Sequence, residues 1–122
     1  MRRILIVDDE PSVRDVMAAV LIDAGYSVQT AADGHMALAI IDATPPDLII
    51  TDVMMPHLDG WALIDRLHER TPSLPVILMS AGNWIRARRM MPLPDHAVFL
   101  AKPFAIEELL ALVVRLTGSQ ST

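Results

Sequence analysis

The chain has 122 residues, a formal net charge of −5, 52% hydrophobic residues and no cysteine. This length and composition predict one globular domain with its own core, and the acidic balance argues against non-specific nucleic-acid binding by the whole surface. The missing thiols exclude disulfides, a cysteine nucleophile and cysteine-ligated metal sites. We expect the domain to span residues 1–118 and residues 119–122 to form a short polar tail.

No apolar run reaches the roughly 18 residues of a membrane span. The start of the chain is basic and then apolar, but Asp8 ends the apolar run at residues 4–7. A signal-peptide core needs roughly 7–15 apolar residues. We therefore expect a soluble, cytoplasmic protein.

Short apolar runs alternate along the chain with segments of helical periodicity. The runs at residues 4–7, 48–50, 76–79 and 97–101 are continuous, which predicts strands covered on both faces, as in a parallel sheet. The segment 26–31 alternates polar and apolar residues and is typical of an edge strand. Five strands alternating with about five helices predict a doubly wound α/β fold with right-handed crossovers.

The predicted helices begin and end at recognisable residues. Pro11 suits the first turn of the first helix and Gly25 its end, while Asp33 is expected to cap the second helix. A helix over residues 83–91 is predicted to be short, because Pro92 and Pro94 would end it early. The apolar residues at helical spacing are, in chain order, Val13, Val16, Met17, Val20, Leu21, Ala37, Ile40, Ile41, Leu63, Ile64, Leu67, Ile106, Leu109, Leu110 and Val113.

Charged or hydroxyl side chains follow four of the five predicted strands. Asp8 and Asp9 follow the first, Asp52 ends the third, Ser80 ends the fourth and Lys102 follows the fifth. In open α/β sheets, ligands bind at the carboxyl ends of the strands. We therefore expect these five residues to converge at one edge of the sheet.

Such a cluster of carboxylates needs a compensating charge. Two carboxylates about 5 Å apart at an effective dielectric constant of ~20 repel by roughly 3 kcal/mol, so a proton, a lysine or a hard cation must offset the repulsion. Oxygen-only ligands favour Mg²⁺. A carboxylate beside a metal ion and Lys102 is equipped to accept a phosphoryl group, to which Ser80 would donate a hydrogen bond.

Four motifs together resemble the receiver domain of two-component response regulators over essentially the whole chain. They are ILIVDDE at 4–10, DVMMPHLDG at 52–60, SA at 80–81 and KPF at 102–104. The resemblance implies a flavodoxin-like (βα)5 three-layer sandwich, whose parallel five-stranded sheet has the order 2-1-3-4-5.

The resemblance also implies a role for each acidic residue. Asp52 would be the phosphoacceptor, taking a phosphoryl group from a sensor histidine kinase or a phosphotransfer protein. Asp9, Asp52 and the backbone carbonyl of Met54 would bind Mg²⁺, and Asp8 would act through a water molecule.

Further residues take their implied roles from the same family. Ser80 and Lys102 would contact the phosphoryl group, and the peptide bond between Lys102 and Pro103 would be cis. Phe99 lies at the family's rotamer-switch position and, with Ser80, would form the switch. Core packing is the alternative for Phe99, and helix capping is the alternative for Asp8 and Asp9.

The implied function is that of a stand-alone, phosphorylation-activated signalling switch and not of an enzyme. Phosphorylation would alter the surface near the helix over 83–91 and the C-terminal helix, for partner binding or phosphate relay. The expected partners are the kinase or phosphotransfer protein and an unidentified target protein. We expect no direct DNA binding and no membrane contact, with a monomer or a phosphorylation-dependent homodimer as the oligomeric state.

Two other functions remain possible from the sequence. A degenerate receiver would dock on partners without phosphorylation. A haloacid-dehalogenase-like phosphatase uses similar residues with Mg²⁺, but such enzymes place a general-acid aspartate two residues after the nucleophile, where this chain has Met54. Dinucleotide binding is disfavoured, since no glycine-rich phosphate loop follows the first strand.

Overall fold

The computed structural model describes residues 2–52, 60–70, 73–80 and 97–118. The strands are β1 (Arg3–Val7), β2 (Ser27–Ala31), β3 (Leu48–Asp52), β4 (Val76–Ser80) and β5 (Ala97–Ala101). The helices in these ranges are α1 (Pro11–Asp23), α2 (Gly34–Ala43), α3 (Gly60–Arg70) and α4 (Ile106–Thr117). The helix predicted over residues 83–91, with Pro92 and Pro94, and the polar tail lie outside the described residues.

The five strands form one parallel sheet in the order β2-β1-β3-β4-β5. This order confirms the predicted topology and the position of β2 at an edge. The register pairs Asp52 with Met79 and Ser80 with Ala101. The carboxyl ends of β3, β4 and β5 are therefore level with one another, which brings the residues that follow them together.

Alternating residues of the central strands face two separate cores. Ile4 and Ile6 of β1 pack in a cluster with residues of α1 and α4, whereas Leu5 and Val7 pack with residues of α2 and α3. All four side chains are at most 1% exposed. The sheet is thus covered on both faces, which explains its continuous apolar strands and confirms the three-layer arrangement.

Two glycines end helices in backbone conformations that other residues rarely adopt. Gly25 follows α1 with φ 100° and its N–H donates to the carbonyl of Ile22 at 3.0 Å. Gly118 follows α4 with φ 81°. A left-handed φ carries no steric penalty at glycine, so both positions suit a helix end, and Gly25 ends α1 where the sequence predicts.

Two apolar helix positions differ from the rest of their stripes. Val16 is 60% exposed and Ile106 is 49% exposed. Both line a groove of about 590 Å³ between α1 and α4, together with Val13 and Phe104. Helical periodicity indicates which residues share a face, but these two lie where the neighbouring helices no longer cover it.

In the described part of the chain, no helix has the length and apolarity needed to cross a bilayer.

Asp33 caps α2, since its side chain accepts a hydrogen bond from the Met36 N–H at 2.8 Å. Asp33→Ala leaves this N–H without its partner and is expected to lower the free energy of unfolding by about 1 kcal/mol. Urea unfolding measures the change. Asp23→Ala, at the C-terminal end of α1, is the control and is expected to cost nothing, because a carboxylate there opposes the helix dipole. Equal losses in both variants would contradict the capping role.

Candidate functional site

Asp8 follows β1 and is a fully buried carboxylate, with 0% exposure. Its backbone N–H donates to the carbonyl of Ala31 at 3.1 Å, which extends the pairing with β2 by one residue. Its Oδ1 accepts a hydrogen bond from the Glu10 N–H at 2.9 Å, and its Oδ2 lies 3.3 Å from the Lys102 ammonium. These partners offset the cost of burying the charge.

Lys102 joins two carboxylates that different strands supply. Its Nζ donates to Oδ2 of Asp52 at 2.8 Å and to Oδ2 of Asp8 at 3.3 Å. Because β4 lies between β3 and β5 in the sheet, the side chain spans the end of β4 to reach Asp52. The side chains of Lys102 and Asp52 are 21% and 13% exposed, so this pair is largely shielded from bulk water.

Asp8, Asp9 and Asp52 form an acidic cluster at the strand ends. One carboxylate oxygen from each lies within 4.8 Å of the others. Asp8 is buried, Asp52 is half-buried and Asp9 is exposed, so the cluster is open to solvent on one side. Three hard oxygen donors with room for water or a phosphoryl oxygen fit the ligand preference of Mg²⁺.

The charge of Lys102 is stabilised by its neighbours. Burial lowers the pKa of the ammonium, but the hydrogen bond and charge of Asp52, followed by those of Asp8, raise it by more. The net pKa of Lys102 is therefore above its usual value of 10.5. At neutral pH the group is a cation that balances one of the three carboxylates.

The other predicted site residues are placed as follows. Ser80 is the last residue of β4, level with Ala101, and its side chain lies outside the described residues, as does Met54. Phe99 is half-buried in β5 and packs partly against the core. The peptide bond between Lys102 and Pro103 is cis.

The start of α1 carries a contact that sequence reasoning missed. The N-cap residue is Glu10, not Asp8 or Asp9, and its side chain makes no cap hydrogen bond. Instead, the Arg14 side chain donates from Nη1 to the backbone carbonyl of Asp8 at 2.7 Å. The only signal in the sequence is an arginine in the first turns of a helix that follows an acidic strand end.

Comparison with known proteins identifies the family. The model of the response regulator receiver domain matches residues 4–114. The chain is 40% identical over 115 residues to the DNA-binding dual master transcriptional regulator RpaA of Synechocystis sp., covering 93% of this chain and 48% of RpaA. It is 37% identical over 110 residues to the DNA-binding transcriptional regulator NtrC of Salmonella typhimurium, covering 90% of this chain and 24% of NtrC.

Solved structures show the same fold. The chemotaxis protein CheY4 of Vibrio cholerae superposes with a TM-score of 0.87 at 32% identity, covering 95% of this chain and 98% of that one. The flavodoxin-like architecture predicted from the sequence is confirmed by this match and by the strand order.

The expectation of partners without DNA contact is wrong, because RpaA and NtrC are DNA-binding regulators by name. The chain spans about half the length of RpaA, with 48% covered, and a smaller part of NtrC, with 24% covered. The expectation rested on the net charge of −5 and on the length of these 122 residues. A net charge describes only the surface over which it is summed, so it does not report on the rest of such regulators.

The matched family covers nearly the whole chain, and relatives and structures agree with it. The chain belongs to the response regulator receiver domain family, the signalling-switch domains of two-component systems.

Proposed function

We propose that this domain is switched by phosphorylation of Asp52, with a sensor histidine kinase as donor and Mg²⁺ as cofactor. The single observation that carries the proposal is the 2.8 Å contact between Lys102 and Asp52 inside a cluster of three carboxylates. A cation in contact with one carboxylate of an acidic cluster reduces the repulsion that further negative charge would meet at that carboxylate. The receiver domain is proposed to extend over residues 1–118, since the family match ends at residue 114 and α4 at Thr117.

The reaction forms one bond and breaks one. A carboxylate oxygen of Asp52 attacks the phosphorus of a phosphohistidine, the P–N bond breaks, and its electron pair leaves with the imidazole. Transfers of this kind depend on positioning and on neutralising the phosphoryl oxygens. The Lys102 ammonium already lies beside Asp52 and supplies one of these charges. The Ser80 hydroxyl is proposed to donate a hydrogen bond to the transferred group.

The acidic cluster is proposed to hold the metal ion. Asp9, Asp52 and the backbone carbonyl of Met54 would be direct ligands, with Asp8 linked through water. When bound, Mg²⁺ neutralises charge on the phosphoryl oxygens. Asp8 and Asp52 both hold the Lys102 ammonium, with contacts of 3.3 and 2.8 Å, and this keeps the cation at the site before the phosphoryl group arrives.

Phosphorylation changes the charge that Lys102 must balance. A phosphoryl group adds about 1.5–2 negative charges at neutral pH, so the Lys102 ammonium is drawn from the carboxylates toward the new oxygens. We infer that β5 passes this change to Phe99, and that Ser80 and Phe99 together alter the surface near residues 83–91 and α4. The output is binding of another protein or domain, and transcriptional control as in RpaA is one form of that output. A cytoplasmic location is part of the proposal, because kinases draw their phosphate from ATP.

The proposal is tested by phosphoryl uptake from acetyl phosphate, followed by intact mass spectrometry. The wild type is expected to gain one phosphoryl group with Mg²⁺ and none with excess EDTA. A panel of histidine kinases repeats the test if the small donor is inactive. No uptake from any donor would contradict the proposal and favour a docking module that works without phosphate.

A further inference from the structure

Arg14 binds the acidic segment that follows β1 at two points. Its Nη1 donates to the backbone carbonyl of Asp8 at 2.7 Å, and its backbone N–H donates to the carbonyl of Glu10 at 3.1 Å, which is the ordinary first backbone bond of the helix. The first contact is short and charge-assisted, which is the stronger class of hydrogen bond. Among the described residues, the guanidinium is therefore bonded to the main chain of the site and not to a carboxylate.

The carbonyl that Arg14 binds also affects the backbone orientation of the next residue, Asp9. The Asp8 carbonyl and the Asp9 N–H belong to one planar peptide group. A hydrogen bond that holds this carbonyl therefore also orients the backbone at the start of Asp9. In the described ranges, the exposed Asp9 carboxylate accepts no hydrogen bond from another residue. Within the described residues, its position near Asp52 thus depends on the backbone, which Arg14 holds.

We propose that Arg14 is a positioning residue for the Mg²⁺ site, acting through the Asp8–Asp9 peptide group. This inference rests on the proposed function, because it concerns the affinity of the same metal site. The charge of Arg14 acts in the opposite direction, since a nearby cation repels Mg²⁺. Positioning and charge therefore predict changes of opposite sign when the side chain is removed, and this separates the two roles.

Isothermal titration calorimetry with MgCl₂ on the unphosphorylated chain tests the inference. Loss of an outer-shell partner typically weakens metal binding about 10–100-fold, so Arg14→Met is expected to raise the Kd for Mg²⁺ by about 10-fold. Arg14→Lys retains a charged donor of similar reach and is expected to give an intermediate Kd. Circular dichroism and thermal unfolding in EDTA verify that each variant is folded; if Arg14→Met is not, Arg14→Gln replaces it with the same expectation.

Arg3→Met is the matched control. It removes the same charge at the other end of β1, about 16 Å from Asp8 at ~3.3 Å per residue, which exceeds the Debye length of ~10 Å at 0.1 M salt. Its Kd is expected to equal that of the wild type. An Arg14→Met variant that binds Mg²⁺ equally well or more tightly overturns this inference alone. A wild-type chain that binds no Mg²⁺ overturns the proposed function as well.

Discussion

Asp52→Asn is expected to abolish phosphoryl uptake from acetyl phosphate. The amide is neutral and a poor nucleophile, and removal of a covalent nucleophile costs roughly 10⁴-fold or more in rate. The substitution also removes one of the three carboxylates of the cluster and replaces the charged acceptor of the 2.8 Å contact with Lys102 by a neutral amide. Intact mass spectrometry over a time course measures the loss.

Asp65→Asn is the matched control for this variant. Asp65 is an exposed carboxylate of α3 outside the acidic cluster, so its uptake is expected to match that of the wild type. Thermal unfolding separates loss of chemistry from loss of fold, because Asn at position 52 retains the shape of the side chain. Unchanged uptake by Asp52→Asn would contradict the assignment of the acceptor.

Lys102→Met is expected to lower the free energy of unfolding by about 3 kcal/mol in EDTA, because it removes one partner of a buried ion pair. The fully buried Asp8 keeps its bond to the Glu10 N–H but loses its counter-charge. Mg²⁺ is expected to stabilise this variant more than the wild type, because the competing ammonium is gone and binding to the folded state adds stability by mass action. Urea unfolding with and without Mg²⁺ measures both effects.

The ion pairs of Lys102 also predict that the free energy of unfolding depends on pH in the alkaline range. The pKa of Lys102 is raised above 10.5 in the folded state, so its contribution is fully present below the unfolded pKa and is lost as the pH rises through the folded pKa. The difference between wild type and Lys102→Met should be constant near neutrality and shrink above pH 10.5.

Arg70→Met is the control for Lys102→Met. Its ion pair with Asp42 is 3.0 Å long but 41% and 57% exposed, so solvent screens it and less than about 1 kcal/mol is expected. Similar losses in both variants, or a difference that does not change with pH, would contradict the role given to Lys102.

The fold could be predicted from the sequence because the pattern of apolar residues in each strand shows whether one or both of its faces are covered. Continuous apolar runs such as residues 4–7 indicated strands covered on both faces, and the polar alternation of 26–31 indicated an edge. The carboxyl ends of parallel strands share one edge of the sheet, so Asp8, Asp52 and Lys102 were expected to meet. The structure brings these three together.

Other features depend on geometry that a pattern of residue types does not contain. Helical periodicity placed Val16 and Ile106 on the same apolar faces as their buried neighbours. Whether a residue on such a face is buried depends on how far α1 and α4 lie apart. The bond from Arg14 to the Asp8 carbonyl joins a long side chain to a main-chain atom, and it depends on the rotamer and on the turn between β1 and α1. The expectation about DNA contact was wrong for a related reason, because net charge and length describe only these 122 residues.

Phosphorylation of Asp52 is tested most directly by locating the phosphoryl group on the chain. The domain is treated with acetyl phosphate and Mg²⁺, and the acyl phosphate is then reduced with borohydride, which converts the phosphorylated aspartate to homoserine and releases phosphate. Tandem mass spectrometry of the peptides reads the modified position. We expect homoserine at position 52 and unmodified aspartate at positions 8 and 9. Homoserine at position 8 or 9, or uptake of phosphate without modification of position 52, would contradict this expectation.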